Sequence, residues 1–301
     1  MDQTAIEALV ARVVAELARE GLTPNPGSAP GTTPVDAATD GVTIDLPDAG
    51  TVEARRTLRV ENPVDPEGLA NLCSTTTARL GVGRAGARPK TAVQLRFLAD
   101  HAVTQEAIYG VVDQTVLDEL GLFTVTTQVD DREEYLLRPD LGRLLSEEAR
   151  ATVDKQCVKN PDVQICIGDG LSATAIDHNL RAIYPVITEG LKAAGLTVGT
   201  PFFIRNARVG VMNDVNRIIG AKTLVLLIGE RPGLVISDAI SAYMGYDPQP
   251  GKSDADRDLI CVITSNGGTQ PLEAGAYVVE FVKKMLAHGA SGVRLRELAG
   301  S

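Results

Sequence analysis

The sequence predicts an α/β fold, a Rossmann-like parallel sheet with flanking helices, preceded by a mainly helical N-terminal domain. From residue 163 onward, short apolar runs alternate with helical patterns, and a glycine-rich or polar loop follows each run. Continuous apolar strands that alternate with helices are typical of βαβ units, in which helices cover both faces of a parallel sheet. The middle of the chain lacks such runs and shows mainly helical periodicity.

Composition narrows the class of protein. The chain has 301 residues, 29 Lys+Arg, 39 Asp+Glu and a net charge of −10. This acidic balance argues against nucleic-acid binding, which depends on Lys and Arg that neutralise phosphates. Three His and four Cys are widely spaced, so a zinc site built by this chain is not expected. We expect a cytoplasmic protein that does not contact membranes, because the chain shows neither a secretion signal nor a membrane-spanning apolar run.

The first part of the chain predicts a helix on an extended arm. Residues 1–20 form the predicted amphipathic helix, with one apolar stripe at Ile6, Leu9, Val10, Val13, Val14 and Leu17. Residues 21–54 are rich in Pro and Gly and predict a flexible linker. The stripe fits two interpretations equally: packing on its own protein, or docking into the groove of a partner.

Residues 55–155 are predicted to form the mainly helical domain, with helical patterns at 91–112, 117–122 and 136–149. Residues 81–86 match the pattern GxGxxG, which supports an alternative function as an NAD-type oxidoreductase. The context argues against that function, because a buried strand should precede the motif and the preceding residues are polar. The same segment carries a basic loop on an acidic chain, formed by Arg79, Arg84, Arg88 and Lys90; a contact surface and a solvated turn are both consistent with it.

Residues 156–301 are predicted to form the α/β domain that carries the ligand site. The expected strands are 163–167, 197–204, 223–228 and 259–263, and the loops 168–172, 205–209, 229–233 and 265–269 should gather at one rim of the sheet. Ligands of open parallel sheets bind at the carboxyl ends of the strands. No Ser-His-Asp or Cys-His set is evident in this rim, so we expect it to bind a large ligand, with Glu230 as its best-placed carboxylate and no catalytic residue or metal ligand.

An ordered set of motifs then points to a family. The set is Gly83-Arg84-Ala85-Gly86, Leu95-Arg96-Phe97-Leu98-Ala99-Asp100-His101, Asp169-Gly170-Leu171-Ser172, Pro201-Phe202-Phe203-Ile204-Arg205, Gly229-Glu230-Arg231-Pro232-Gly233-Leu234, Ser241-Ala242-Tyr243 and Gly267-Gly268-Thr269. Together they closely resemble the small subunit (light chain) of ethanolamine ammonia-lyase, over residues 55–293. Each motif alone is weak, and their order is specific.

The resemblance implies a subunit of an adenosylcobalamin-dependent lyase that converts ethanolamine to acetaldehyde and ammonia by a radical route. It implies a partner, the large subunit, a TIM barrel that holds the substrate, and a higher heterooligomer. It also implies that the small subunit closes over the cobalamin through residues corresponding here to Val209, Glu230 and Leu259. Because the loop before Gly267 is one residue longer than is usual, Ile260 and Cys261 remain alternatives to Leu259. In this family an N-terminal segment can address the enzyme to a bacterial microcompartment.

The histidines predict how cobalamin would bind. Corrinoid proteins that replace the lower axial base with histidine need the pattern D-x-H-x-x-G. None of His101, His178 and His288 stands two residues after an Asp. We therefore expect base-on binding, with the benzimidazole of the cofactor on its cobalt.

Overall fold

The computed structural model describes residues 57–76, 78–234 and 236–299, which form a mixed α/β fold around a six-stranded sheet. The helices are α1 (Pro66–Thr75), α2 (Thr91–Tyr109), α3 (Gln114–Glu119), α4 (Arg132–Leu137), α5 (Glu147–Gln156), α6 (Ala173–Ala193), α7 (Val211–Ile219), α8 (Pro271–His288) and α9 (Gly292–Ala299). The strands are β1 (Arg84–Ala85), β2 (Arg88–Pro89), β3 (Phe123–Thr126), β4 (Val163–Gly168), β5 (Phe202–Arg205), β6 (Thr223–Gly229), β7 (Ile240–Tyr246) and β8 (Arg257–Ile263).

The strand order of the sheet is β3-β5-β4-β6-β7-β8. The first four strands in this order are parallel, whereas β7 pairs antiparallel with both β6 and β8. Every residue of β4 and β6 is buried, which explains why both strands are mostly apolar. The sheet is therefore mostly parallel, and the predicted fold class is confirmed.

Helices cover both faces of the sheet because the buried side chains of each strand alternate between two cores. Ile165 and Leu227 face a cluster that contains the apolar sides of α6 and α8. Cys166 and Leu226 face the opposite cluster, which contains residues of α5 and α7. This layering leaves the carboxyl ends of the parallel strands accessible at one edge, where a ligand site can form.

In the segment from residue 156 onward, three strands differ from the sequence prediction. The strand predicted at 197–204 begins only at Phe202. The last strand is longer than the predicted 259–263 and is an antiparallel edge strand with exposed residues, not a buried parallel one. Strand β7 was not predicted, because Ser241 and Tyr243 interrupt its apolar run.

The segment 55–155 is mainly helical, as expected, but it also supplies a strand. Residues 123–126 form the sheet edge beside β5, a pairing that the sequence did not predict. The helix predicted at 136–149 is wrong, because the residues between α4 and α5 form a 3₁₀ turn, Leu141–Arg143. The helix predicted at 91–112 is present and ends at Tyr109 before Gly110.

The N-terminal helix predicted for residues 1–20 and the linker predicted for residues 21–54 lie outside the described residues. The domain boundaries proposed from the sequence stay predictions. Across the described part of the chain, no helix is both long and apolar enough to cross a bilayer.

Candidate functional site

The candidate site is a cavity of about 340 Å³ at the carboxyl ends of β4, β5 and β6. Residues of three predicted rim loops line it, together with side chains of β7 and β8. The fourth predicted loop, 265–269, does not line it. The cavity thus combines backbone-rich turns on one side with strand side chains on the other.

The structure brings the three residues expected to bind cobalamin to this cavity. Val209, Glu230 and Leu259 all line it. Of the two alternatives to Leu259, Cys261 also lines the cavity, whereas Ile260 points to the other face of β8 and packs against the core. Successive residues of a strand alternate between faces, so a shift of two residues preserves the contact and a shift of one does not.

Asp169 holds two of the rim loops together. It follows β4 and accepts hydrogen bonds from the backbone N–H groups of Asn206 and Ala207, at 2.9 and 3.0 Å. The guanidinium of Arg132 lies 3.6 Å from the same carboxylate. Burial raises the pKa of Asp169 although these donors oppose the shift. The Asp169 carboxylate therefore holds the rim loops together and does not line the cavity.

Two arginines and a tyrosine support the same loops. The guanidiniums of Arg132 and Arg208 lie over the Tyr135 ring, 4.4 and 4.0 Å from its centroid. The Tyr135 hydroxyl donates to the carbonyl of Ala207 at 2.8 Å, and Arg132 donates to the carbonyl of Gly170 at 2.8 Å. Burial raises the pKa of Tyr135, so its hydroxyl keeps its proton and remains a donor.

Two glycines let the loops after β4 and β6 meet. Gly170 has φ +55°, and a Cβ there would lie 2.1 Å from the Gly229 carbonyl oxygen. A Cβ on Gly229 would lie 2.2 Å from the Ser172 carbonyl oxygen. Only residues without a side chain fit this approach, which explains the glycines of both motifs.

Glu230 secures a bulge in the edge strand β8. Its Oε1 accepts a hydrogen bond from the Ser241 hydroxyl and another, at 2.7 Å, from the backbone N–H of Val262. Val262 has φ +54°, a conformation that strains a β-branched residue. Glu230 forms no ion pair with its neighbour Arg231 among the described residues. Glu230 therefore fixes the backbone beside Cys261 with one oxygen and leaves Oε2 without a protein donor among those residues.

The basic loop is partly neutralised within the chain. Arg79 pairs with Asp100 and donates to the Leu234 carbonyl at 3.0 Å, and Lys90 pairs with Glu61. Arg79 thereby connects the segment before α2 to the loop after β6. Arg84 and Arg88 are exposed on the β1–β2 hairpin and form no ion pair with a described residue.

The GxGxxG match at 81–86 does not form a dinucleotide site. The motif leads into the two-residue strands β1 and β2, which form a separate hairpin. The fingerprint requires a strand of the parallel sheet before the glycines and a helix directly after them. The oxidoreductase alternative therefore has no support in the structure.

Sequence reasoning missed a polar cluster next to α6. His178 Nδ1 lies 3.2 Å from Asp238 Oδ2, and the side-chain amide of Asn266 donates to the same oxygen at 2.5 Å. The hydrogen bond with Asp238 raises the pKa of His178. The cluster ties the loop 265–269 to α6; its partners are far apart in sequence, so no local pattern could have revealed it.

The cysteines also differ in environment. Cys73, Cys157 and Cys166 are buried, as expected of small apolar residues, and none of the four cysteines forms a disulfide. Cys261 is exposed and lies at the cavity.

A comparison with known protein families identifies the family of this chain. A model of the ethanolamine ammonia-lyase light chain family (EutC) matches residues 66–296. The matched region contains the whole six-stranded sheet, the cavity and the loops that line it. Because the match spans well over half of the sequence, the chain belongs to the ethanolamine ammonia-lyase light chain family.

Proposed function

We propose that this chain is the cobalamin-contacting subunit of an adenosylcobalamin-dependent ethanolamine ammonia-lyase, and that it closes over the cofactor on a TIM-barrel large subunit. The observation that carries the proposal is that Val209, Glu230 and Leu259, which come from three separate elements, line one cavity. The family match supports the same activity.

The residues present suit a corrin. A corrin is a large, mostly apolar ring whose rim carries amide groups, and Glu230 Oε2 can accept a hydrogen bond from such an amide. Val209 and the 45% exposed Leu259 offer apolar contact. A cavity of about 340 Å³ is too small to enclose the ring. The chain thus supplies one wall, which is what a site shared with a large subunit requires.

The side chains at the rim indicate which roles fall to this chain and which to the cofactor and the large subunit. When bound, adenosylcobalamin supplies the radical chemistry. Asp169, Arg132 and Tyr135 are engaged in holding loops, and Glu230 is hydrogen-bonded to Ser241. We assign these residues to positioning the wall and excluding water from the cofactor, and the catalytic residues to the large subunit. Assembly into a higher heterooligomer is part of the proposal.

Glu230 offers a test of the cofactor contact. Replacing it with Ala is expected to weaken corrinoid binding by the light–large chain complex about 10- to 150-fold, because a hydrogen bond to a charged acceptor contributes roughly 1.5–3 kcal/mol. The measurement is the corrinoid absorbance that co-elutes with the complex over a range of cofactor concentrations. The same spectrum tests the base-on proposal, which a base-off, histidine-ligated form would refute.

Ser241→Ala is the matched control, since it removes a donor to Glu230 without removing the carboxylate. Its affinity should stay near that of the unmodified complex. If the two variants weaken binding equally, the loss does not come from the Glu230 carboxylate itself and the assigned contact is wrong.

We further propose that residues 1–20 address the enzyme to a bacterial microcompartment. The motivation is the apolar stripe of the predicted helix, carried on a linker rich in Pro and Gly. Deleting residues 1–41 should leave turnover of the reconstituted enzyme intact and abolish its co-localisation with shell proteins. Loss of turnover on deletion would instead place the helix in the enzyme's own assembly.

A further inference from the structure

Helix α2 turns polar side chains toward the protein and large apolar side chains toward the outside. Its buried residues are Asp100, Thr104 and Ala107, of which two are polar. The large apolar side chains of the helix that are more than half exposed are Leu95, Leu98 and Tyr109. A helix at the surface of a protein normally shows the reverse arrangement. The outer side of α2 is therefore the kind of surface that a partner buries.

The exposed apolar side chains lie on one face of α2. Leu95 and Leu98 are three positions apart, and Ala102, four positions further, is also exposed. Tyr109 follows seven positions later, which is about two turns of the helix. Residues at these spacings share one side of an α-helix. We refer to Leu95, Leu98, Ala102 and Tyr109 as the outer stripe.

The segment around α2 is exposed in the same way. Of the 19 large apolar side chains that are exposed in the described part of the chain, ten lie between residues 57 and 112. The buried apolar residues that this segment contributes to the described core are Cys73, Ala107 and Val112. So few buried side chains give the segment little hydrophobic stabilisation of its own. A concentration of exposed apolar side chains of this kind marks an interaction surface.

The charge of the segment also differs from that of the whole chain. Residues 57–112 contain six Lys/Arg and five Asp/Glu, whereas the net charge of the chain is −10. Arg84 and Arg88 are exposed on the hairpin that precedes α2 and form no ion pair with a described residue. An isologous contact would place two copies of this weakly cationic surface against each other. A different chain can instead offer carboxylates to Arg84 and Arg88.

The outer stripe is continuous with the rim of the candidate site. Tyr109, its last residue, lines a separate cavity of about 200 Å³ together with Asp169 of the rim. Arg79, which pairs with Asp100 of α2, donates to the Leu234 carbonyl in the loop after β6. A partner that covers the rim therefore meets α2 as well.

We propose that the outer stripe docks on the large chain of the lyase, against an apolar surface that is bordered by carboxylates. The inference rests on the proposed function and adds to it a contact surface outside the cofactor site. Leu98 lies in the middle of the exposed segment, and the energy of an interface concentrates near its centre. Leu98 is therefore the residue whose replacement should weaken the contact most.

The test measures the affinity of the full light chain for the large chain. Leu98→Glu places a charge in the outer stripe and keeps a good helix former at an exposed position. We expect it to weaken association at least about tenfold and to leave the urea midpoint of the free light chain unchanged. Val158→Glu is the matched control. Leu98 and Val158 are 54% and 56% exposed, but Val158 precedes β4 at the opposite edge of the sheet, so its replacement should change neither quantity.

Hydrogen exchange of the unmodified proteins provides a second measurement that does not depend on a variant. The backbone amides of α2 should exchange more slowly in the complex than in the free light chain, because a docked partner suppresses local opening of the helix. Unchanged exchange in α2 would overturn the proposal. Unchanged association of Leu98→Glu would overturn it as well.

Other occupants of the outer stripe would give different results. If Leu98→Glu lowers the urea midpoint of the full light chain but not that of a chain without residues 1–41, the stripe is covered by the chain's own first segment. If the free light chain is a dimer that Leu98→Glu dissociates, a second copy covers the stripe. Either result would refute docking on the large chain. If the unmodified light and large chains do not associate, the proposed function itself fails.

Discussion

Replacing Gly170 with Ala is expected to lower the free energy of unfolding by about 2–5 kcal/mol and to disorder the proposed cobalamin-binding wall. The residue has φ +55°, which costs an L-residue roughly 1–2 kcal/mol. Its new Cβ would also lie 2.1 Å from the Gly229 carbonyl oxygen, and overpacking of this kind costs about 1–3 kcal/mol more. Chemical denaturation measures the stability, and corrinoid co-elution measures the damage to the site.

Gly195→Ala separates the two causes. Gly195 also has a positive φ, of +76°, but nothing lies within 4 Å of its hypothetical Cβ. It should lose only the backbone contribution, about 1–2 kcal/mol, and keep corrinoid binding. Equal losses in the two variants would show that the contact between the loops after β4 and β6 is not tight.

Asp214→Ala is expected to destabilise the chain by about 2–4 kcal/mol. The carboxylate is only 4% exposed, pairs with Arg150 and Arg217, and accepts the backbone N–H of Leu145 at 2.9 Å. Removing one partner of a buried ion pair costs roughly 3–5 kcal/mol. We expect a somewhat smaller loss of stability here, because Arg150 and Arg217 are partly exposed and can be solvated by water.

The control for this variant is Asp154→Ala, at an exposed carboxylate that pairs with Lys159. Exposed ion pairs contribute little, so its unfolding midpoint in urea should barely move. A midpoint for Asp214→Ala that also stays in place would mean that its network does not hold α7 to the segment before α5.

Long buried strands were predictable because their signal is local. The apolar runs at 163–167 and 223–228 identify β4 and β6, and the glycine-rich loops that follow them identify the rim. Strand β3 was not predicted because it has only four residues, lies at a sheet edge and follows helical segments. Strand β7 was not predicted because polar residues interrupt its apolar run and because it pairs antiparallel with β6 instead of continuing the parallel sheet.

Three residues that line the candidate cavity were named from the sequence, but the hydrogen bonds among the residues of the site could not be predicted from it. The family resemblance named Val209, Glu230 and Leu259, yet nothing local in the sequence shows that Glu230 accepts a hydrogen bond from Val262, 32 positions away. A second cavity, of about 850 Å³ and lined by six basic side chains, was not predicted for the same reason. Its cations are scattered from residue 143 to residue 257 and become neighbours only when the chain folds.

The most direct test of the account is acetaldehyde release from ethanolamine by the purified chains. The light chain alone, with adenosylcobalamin, should show no turnover. Adding the large chain should give turnover that depends on adenosylcobalamin. Full activity of the light chain by itself, or of the large chain without it, would contradict a cofactor site that is shared between the two.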